Sequence, residues 1–254
     1  MRMLDLRPTL GLLPFLAAGM LPAQDASMEL VRNGGFESVD KKVTTYDQLR
    51  NATGWTNGTL GLSEVFSEDA SAKTVGIPVN DYGIMKPFEG QAYAGFFGWK
   101  DDVRRSYDSS DPEEVFVPGW NSYSEYIQGE LVQPLVEGQT YELSFQVALS
   151  GNSDRSILGI GAFFGRTARN YQHRKFMEEV PQLYIDKPLK EKSVWTEFKE
   201  TFVADGGETV IVIGVFPYVG LESERLIEGT DNQYAYYYLD AVSLKRVEAT
   251  PSED

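Results

Sequence analysis

The stretch that decides the fold lies near the end of the sequence and reads Tyr234-Ala235-Tyr236-Tyr237-Tyr238-Leu239-Asp240-Ala241-Val242-Ser243-Leu244. A second stretch, near the beginning, reads Glu29-Leu30-Val31-Arg32-Asn33-Gly34-Gly35-Phe36-Glu37. Each places a carboxylate, Asp240 or Glu37, at the point where its strand pattern breaks. We interpret the two stretches as the last and first strands of one β-sandwich, closed so that the two ends of the domain meet.

The middle of the chain contains further stretches with strand patterns. Between Thr140 and Leu149, apolar residues occupy every second position, which is the period of a strand that buries one face. Comparable runs predict strands at 90–97, 156–164, 194–203 and 209–215. Only 46–51 and 170–180 could hold a helix. Many strands separated by Gly- and Asp-rich turns predict an all-β fold, a single-domain jelly-roll β-sandwich.

The first 23 residues resemble a targeting segment. Arg2 and Arg7 precede the apolar run 10–20, and Ala23 offers a cleavage site before Gln24. Because the run is short and interrupted by glycine and proline, it favours a cleaved signal peptide over an uncleaved anchor or a buried strand. We therefore expect an exported protein of the periplasm, outer-membrane surface or extracellular space. Its signal peptide is 1–23, its sandwich 24–247 and its disordered tail 248–254.

The chain has no cysteine and a formal net charge of −15. The lack of cysteine excludes disulfides, thiolate metal sites, cysteine nucleophiles and a lipoprotein anchor. An acidic surface repels nucleic acid and anionic lipid headgroups, and it suits divalent cations or neutral ligands such as glycans. Such a surface also simply confers solubility. We expect no nucleic-acid partner and no membrane span after signal cleavage.

Several short segments follow one another in a recognisable order. They are 30–37, 54–55, 58–59, 78–83, 90–95, 126–131, 135–149, Trp195, 204–208 and the terminal tyrosine-rich strand. This order resembles a β-sandwich domain that follows the signal peptide in many exported envelope proteins of the Bacteroidetes, often ahead of an OmpA-like domain. More distantly, the two terminal segments are similar to those of galactose-binding-like jelly rolls, including carbohydrate-binding modules. The chain departs from the first group in its lack of cysteines and of an OmpA-like domain, so attachment to peptidoglycan is not implied.

Glu37 and Asp240 are the expected ligands of a cation. Ca²⁺ takes roughly six to eight oxygen ligands, and two strands that meet at a seam could each supply one carboxylate. The apolar parity changes at Asp240, which predicts a β-bulge there. The equivalent residues of carbohydrate-binding modules resemble calcium ligands, so the resemblance implies a structural Ca²⁺. The alternative is that both carboxylates are solvated strand ends or turn caps.

Catalytic residues are not evident from the sequence. His173 is the only histidine and lies in a basic stretch at 169–175, and no Gly-x-Ser-x-Gly elbow accompanies it. The 38 acidic residues leave two-carboxylate glycoside hydrolysis open, but nothing selects a pair. We expect a protein that is not an enzyme.

The segment 98–126 lacks strand periodicity and is the predicted binding loop. It combines aromatic residues with Asp, Asn and Arg, a combination that can stack on the C–H faces of sugars and satisfy their hydroxyls. The expected ligand-binding residues are Trp99, Tyr107, Trp120 and Tyr123, together with Arg155 from a neighbouring strand. The alternative is that the tryptophans anchor the loop to the sandwich or lie against a partner protein.

These observations predict a non-catalytic exported module that binds glycan or other cell-envelope material. The alternative is a structural or adhesive envelope protein that binds another protein or its own copies. A glycoside hydrolase is the weaker alternative. The sequence leaves the ligand and the oligomeric state open.

Overall fold

The computed structural model describes residues 28–100, 104–105, 116–117, 123–217, 223–226 and 234–247. The predicted signal peptide, the predicted tail, Tyr107 and Trp120 lie outside these ranges. The described strands are β1 Trp55–Asn57, β2 Glu64–Ser67, β3 Val79–Asn80, β4 Gly83–Ile84, β5 Ala92–Lys100, β6 Arg104–Arg105, β7 Phe116–Val117, β8 Tyr126–Glu130, β9 Thr140–Leu149, β10 Arg155–Ile157, β11 Ile160–Gly165, β12 Leu183–Tyr184, β13 Thr196–Val203, β14 Val210–Val215, β15 Ser223–Arg225 and β16 Tyr234–Arg246. Two short 3₁₀-helices span Leu49–Asn51 and Lys73–Val75.

Two five-stranded sheets form the sandwich. The first sheet has the order β1-β8-β14-β11-β12, and the second has the order β13-β9-β16-β5-β2. Every neighbouring pair in both sheets is antiparallel. Most neighbours in a sheet are distant in sequence, as Greek-key connections require. The predicted all-β jelly-roll sandwich is therefore confirmed.

The alternating stretch at Thr140–Leu149 forms β9 over its whole predicted length. The strand predicted at 156–164 is instead divided into β10 and β11. The break falls at Gly159, which has a φ of 100° and accepts a hydrogen bond from the Phe216 N–H. Glycine adopts such a φ at little cost, so the interruption follows from a turn that the alternating pattern alone does not show.

The segment 170–180, one of the two that could hold a helix, contains none. Backbone groups of this segment bond to distant loops instead of to each other: the Tyr171 N–H donates to Gly58, and His173 and Arg174 accept from Leu60 and Ser124. These long-range bonds satisfy the backbone that a helix would satisfy internally. At 46–51 only the 3₁₀-helix Leu49–Asn51 forms. In the described ranges, no helical segment has the length and apolarity needed to cross a membrane.

The main core lies between the two sheets. Phe164 of the first sheet stacks on Phe202 of the second at 4.4 Å between centroids. Within the second sheet Phe145 stacks on Phe198 at 4.7 Å. Aromatic side chains bury large areas, so the contact between Phe164 and Phe202 contributes strongly to holding the two sheets together.

The two ends of the domain meet at a seam, as predicted, but the first segment is not a regular strand. The Leu30 N–H donates to Leu244 of the second sheet, and the Leu30 carbonyl accepts from Val132, which follows β8 of the first sheet. Segment 29–37 therefore bonds both to the second sheet and to the chain that leaves the first sheet. The register of β16 against β9 shifts between Asp240 and Ser243, which confirms the predicted bulge.

The outer face of the second sheet is partly covered by the β3/β4 hairpin. The side chain of Asn80 donates to the Tyr93 hydroxyl at 3.1 Å and accepts from the Tyr238 hydroxyl at 2.8 Å. Directly after the hairpin, the Met85 carbonyl accepts a hydrogen bond from the Tyr93 hydroxyl at 3.1 Å. These buried hydrogen bonds position the hairpin over the sheet, and the candidate site lies beside it.

Candidate functional site

A layer of aromatic side chains lies on this outer face. The Tyr236 ring is parallel to the Tyr82 ring, with 3.7 Å between centroids. Phe97 meets these two rings edge-on, at 4.9 and 5.5 Å. Tyr123 and Tyr234 also contact the Phe97 ring edge-on, at 5.9 and 5.5 Å. Offset and edge-on contacts are the favourable arrangements of aromatic rings, so the layer is a well-packed wall.

Glu64 of β2 lies buried against this layer. Its Oε2 accepts a hydrogen bond from the Tyr236 hydroxyl at 2.6 Å, and its Oε1 accepts a longer one from Tyr82 at 3.4 Å. Gly95 lies opposite Glu64 in the sheet, and a Cβ at this position would overlap the Tyr236 hydroxyl. Burial raises the pKa of Glu64 well above its usual value, and the nearby charge of Glu125 adds to the rise.

Glu125 is the second buried acid and immediately precedes β8. Its Oε2 accepts from the Phe97 N–H at 2.8 Å, and its Oε1 accepts from the Tyr123 hydroxyl at 2.6 Å. Its own N–H donates to the Phe97 carbonyl at 2.9 Å, so its backbone pairs with that of β5. Burial raises the pKa of Glu125 to about 8, although both accepted hydrogen bonds oppose the rise.

These residues together form what we call the tyrosine site. Its members are Glu64, Tyr82, Phe97, Tyr123, Glu125, Tyr234 and Tyr236, together with Tyr46, whose ring meets the Tyr82 ring edge-on at 6.2 Å between centroids. Tyr46, Tyr82, Tyr123 and Tyr234 are partly exposed, whereas Glu64 and Glu125 are buried. The site thus offers partly exposed aromatic rings with hydroxyl groups, above two buried carboxyl groups. Exposed rings and hydroxyls are the combination that binds a ligand with both C–H faces and hydroxyls.

Of the predicted ligand-binding residues, Tyr123 belongs to the tyrosine site. Trp99 is only 8% exposed, and the guanidinium of Arg155 lies over its indole at 5.2 Å. In this position Trp99 packs in the core and Arg155 packs on it, so their assignment as ligand contacts stays a prediction. The same holds for Tyr107 and Trp120, which lie outside the described residues.

Glu37 and Asp240 lie on either side of the turn at 88–92. Glu37 Oε1 accepts from the N–H groups of Gln91 and Ala92 at 2.9 and 3.0 Å. Asp240 Oδ2 accepts from Phe88 and Glu89 at 2.9 and 3.3 Å. Both carboxylates therefore cap this turn, which is the alternative that the sequence left open for them.

The arrangement around the turn does not by itself identify a metal. In the parts of the chain that the structure describes, no group of three or more His, Cys, Asp or Glu side chains is arranged to hold a metal ion. Burial raises the pKa of Asp240 to about 7 against three backbone hydrogen bonds that lower it. The calcium site at Glu37 and Asp240 remains a prediction.

Sequence reasoning missed Glu64 and Glu125. Both carry a signal that could have found them: Glu64 directly precedes the apolar pair Val65-Phe66, and Glu125 lies between two aromatic residues, Tyr123 and Tyr126. An acidic residue at the start of a buried strand requires hydrogen-bond partners. The partners of Glu64 are Tyr82 and Tyr236, and Glu125 bonds to the Phe97 N–H as well as to the nearby Tyr123. Because most of these partners are distant in sequence, the pattern shows the acids but not the site.

No protein-family model matches the chain, and no curated protein matches it. Among solved structures, it is similar to the CBM22-1 xylan-binding domain of Xyn10C from Paenibacillus barcinonensis, with a TM-score of 0.43 and 13% identity over 90% of this chain and 100% of that chain. A tandem CBM22-1-CBM22-2 structure from the same protein gives a TM-score of 0.44 and 15% identity over 90% of this chain and 49% of that chain. The structure of TmCBM61 in complex with β-1,4-galactotriose gives a TM-score of 0.37 and 14% identity over 87% of this chain and 100% of that chain. Because each TM-score is below 0.5, the ligands of these proteins are not transferred to this chain.

Proposed function

We propose that this chain is a non-catalytic, exported module that binds glycan at the tyrosine site. One observation carries the proposal: partly exposed tyrosine rings surround two buried carboxyl groups on the outer face of the second sheet. Rings of this kind can pack against the C–H faces of a sugar, while the hydroxyl groups of the partly exposed tyrosines exchange hydrogen bonds with the sugar hydroxyls. Export rests on the sequence of residues 1–23.

The rigidity of the wall supports this role. Phe97 contacts four tyrosine rings, and its own backbone N–H is bonded to Glu125. Side chains held by such packing lose little freedom when a ligand binds. A preformed aromatic surface is therefore suited to a sugar chain, whose own flexibility already opposes binding.

Retention on a panel of immobilised plant, bacterial and animal polysaccharides tests the proposal. We expect retention by the mature protein and its loss in Tyr82→Ala and Tyr123→Ala, each of which removes one partly exposed ring. Tyr184→Ala is the matched control, because Tyr184 is 40% exposed but belongs to β12 in the first sheet. The proposal fails if no polysaccharide retains the folded protein, or if the Tyr82 and Tyr123 variants bind like Tyr184→Ala.

The predicted residues of segment 98–126 enter the same experiment. We propose that Trp120 and Tyr107 add further rings to the binding surface, so Trp120→Ala is expected to weaken retention. Trp99→Ala is expected to lower stability instead, because the indole is buried beneath Arg155. If the Trp99→Ala protein is stable but is retained more weakly, Trp99 contacts the ligand.

A glycoside hydrolase is the second candidate, and the buried acid pair favours it. Hydrolases of this type use two carboxyl groups, one of which has a raised pKa, and burial raises the pKa of both Glu64 and Glu125. Each acid, however, is already held by a tyrosine hydroxyl. If the protein releases reducing ends from a retained polysaccharide and Glu125→Gln abolishes this release, the protein is a glycoside hydrolase.

A protein-binding envelope component is the other alternative. It is favoured by exposed apolar side chains on and near the β3/β4 hairpin, where Val79, Ile84 and Phe88 are 58%, 66% and 50% exposed. Light scattering of the mature protein tests this role. If the protein forms a stable oligomer that Ile84→Asp dissociates, and no polysaccharide retains it, protein binding replaces glycan binding as the proposed function.

We also propose that Glu37 and Asp240 bind a structural Ca²⁺ at the seam. A Cβ at Gly35 would lie 3.2 Å from Glu89 Oε1 and 3.8 Å from Asp240 Oδ1, so a third carboxylate lies nearby. A cation would offset the cost of the buried Asp240 charge. We expect millimolar Ca²⁺ to raise the melting temperature relative to chelator, and Asp240→Asn to remove the difference. Equal melting temperatures in both conditions would refute the site.

A further inference from the structure

A polar cavity lies beside the outer face of the first sheet, at the end of β11. Phe164 faces the second sheet, where it stacks on Phe202. The preceding residue, Phe163, therefore faces outward, because successive side chains of a strand point to opposite faces. Phe163 lines a cavity of about 330 Å³. We call this cavity the arginine cleft, and its polar side chains are Arg166, Thr167, Arg169, Gln182, Asp205 and Glu208.

Glu208 supplies the observation that points to a ligand. It is only 3% exposed, and its Oε1 accepts a hydrogen bond from the Asp205 N–H at 2.8 Å. Its Oε2 is buried and has no hydrogen-bond partner among the residues that the structure describes. A buried polar atom without a partner is costly, and native proteins contain few of them. The Oε2 atom therefore calls for a hydrogen-bond donor that enters from the cleft.

Two arginines are held in fixed positions at the cleft. Arg166 Nε donates to the Gly206 carbonyl at 3.0 Å. The guanidinium of Arg169 lies over the Phe163 ring, 4.7 Å from its centroid, and its Nε donates to Glu179 at 2.7 Å. Each arginine makes at most three hydrogen bonds to described residues, whereas a guanidinium has about five N–H donors. Both side chains thus keep donors for a ligand in a fixed orientation.

The charges that line the cleft balance. Two guanidiniums face two carboxylates, those of Asp205 and Glu208. The acids would repel an anionic ligand, and the arginines would repel a cationic one. A hydroxyl group both donates and accepts hydrogen bonds, so a neutral ligand with several hydroxyls can bond to carboxylates and guanidiniums together. The volume of the cleft is at the lower end of the range of about 300–1,000 Å³ for ligand pockets, which suits a small ligand.

We propose that the arginine cleft is a second saccharide site, which binds a short part of a neutral glycan. A sugar hydroxyl donates to Glu208 Oε2, and neighbouring hydroxyls accept from Arg166 and Arg169. The cleft is separate from the tyrosine site, because it belongs to the first sheet. A cavity of this size makes few contacts, so it strengthens retention on a polysaccharide without providing it alone. Two weak contacts to one polymer give a higher overall affinity than either contact by itself.

NMR of the arginine side chains tests the site directly. The Nε–H signals of Arg166 and Arg169 are assigned with Arg166→Lys and Arg169→Lys, and they are followed in the mature protein during titration with methyl glycosides. The neutral probes are the glycosides of glucose, galactose, mannose and xylose, the anionic probes are those of glucuronate and galacturonate, and the cationic probe is that of glucosamine. We expect at least one neutral glycoside to shift both signals in a saturable way, and the charged glycosides to shift them less at equal concentration.

Three variants locate the binding. Glu208→Gln keeps the shape of the side chain but places an N–H group where Oε2 accepts, and we expect it to weaken binding of the neutral glycoside by at least about tenfold. Glu200→Gln, at an exposed position of β13 in the second sheet, is the matched control and leaves binding unchanged. Arg166→Met changes an exposed side chain and no buried group, so it decides the question if Glu208→Gln does not fold. We expect it to weaken the binding that is observed at Arg169.

The cleft and the tyrosine site can fail separately. The cleft is not a saccharide site if no neutral glycoside shifts the two arginine signals, or if only charged glycosides do. It is equally refuted if Glu208→Gln and Arg166→Met bind like Glu200→Gln. Retention that depends on Tyr82 and Tyr123, with no response at the cleft, would leave only the tyrosine site. A response at the cleft without retention on any polysaccharide would overturn the proposed function and leave the cleft.

Discussion

Tyr236 and Tyr237 are neighbours in the sequence but lie on opposite faces of the second sheet. The Tyr237 ring packs on Phe96, and its hydroxyl accepts a hydrogen bond from the Ile157 N–H at 2.8 Å. The Tyr236 ring packs on Tyr82, and its hydroxyl donates to the Glu64 carboxylate. Both residues are fully buried. The Tyr237 hydroxyl therefore provides a hydrogen-bond partner for a backbone N–H inside the core, whereas the Tyr236 hydroxyl bonds to an ionisable side chain.

The difference shows how one strand can serve two purposes. On the inner face, apolar contacts and one satisfied hydroxyl stabilise the sandwich and offer nothing to a ligand. On the outer face, the same residue type is combined with carboxyl groups whose burial is costly. Buried acids of this kind cluster at functional sites more often than elsewhere, which is why we place binding on the outer face.

The largest expected effect separates the two faces by stability. Phe145→Ala removes a ring that stacks on Phe198 in the inner core, and we expect it to lower the free energy of unfolding by about 3–5 kcal/mol. Tyr123→Ala, on the partly exposed rim, is expected to cost about 1–2 kcal/mol. Urea unfolding followed by circular dichroism measures both. If Tyr123→Ala costs as much as Phe145→Ala, the rim is part of the core and the comparison breaks down.

The next effect sharpens the comparison between the two tyrosines. Tyr237→Phe leaves the Ile157 N–H without its acceptor, at an expected cost of about 1–3 kcal/mol that does not vary with pH. Tyr236→Phe removes a hydrogen bond that lowers the pKa of Glu64, so its cost should grow as the pH rises and Glu64 ionises. Unfolding curves of both variants at several pH values test this. Parallel pH profiles would show that Glu64 does not depend on Tyr236.

The third expected effect is a pH dependence of opposite sign to that of ordinary salt-bridged acids. Burial raises the pKa of Glu125 from 4.5 to about 8, so between these values the folded state binds more protons than the unfolded state. The stability that Glu125 contributes is present below its unfolded pKa and is lost as the pH rises through about 8.

The variant Glu125→Gln isolates this contribution. We expect the difference in unfolding free energy between wild type and Glu125→Gln to move in favour of the variant as the pH increases from 4.5 to about 8. Glu130→Gln, at an exposed position of β8, serves as the control and should show no such trend. A constant difference across this range would show that Glu125 titrates like an exposed acid.

The fold was largely predictable because strand periodicity is local. The alternation at Thr140–Leu149 and the parity change at Asp240 were sufficient to locate β9 and the bulge of β16. The sequence did not show that 170–180 forms a loop, because the backbone partners of this segment, such as Gly58 and Ser124, are distant in sequence. Local patterns cannot show which long-range bonds replace those of a helix.

The candidate site was predictable only in part, for the same reason. Tyr123 was expected to bind ligand, but its partner Glu125 was not, and Glu64 reaches the site through the pairing of β2 with β5. Tyr82 reaches it through the hairpin that lies over the sheet. The site is therefore a product of topology, and neither the composition nor the spacing of its residues indicates that they meet.

One measurement tests the central claim most directly: the titration of a glycan that retains the protein into a sample with ¹³C-labelled tyrosine rings, followed by NMR. Signals are assigned with single Tyr→Phe variants. We predict that the resonances of Tyr82 and Tyr123 shift on binding, whereas those of Tyr237 and Tyr141, which are fully buried, stay in place. Ligand binding that leaves Tyr82 and Tyr123 unshifted would contradict the account and move the binding surface away from the outer face of the second sheet.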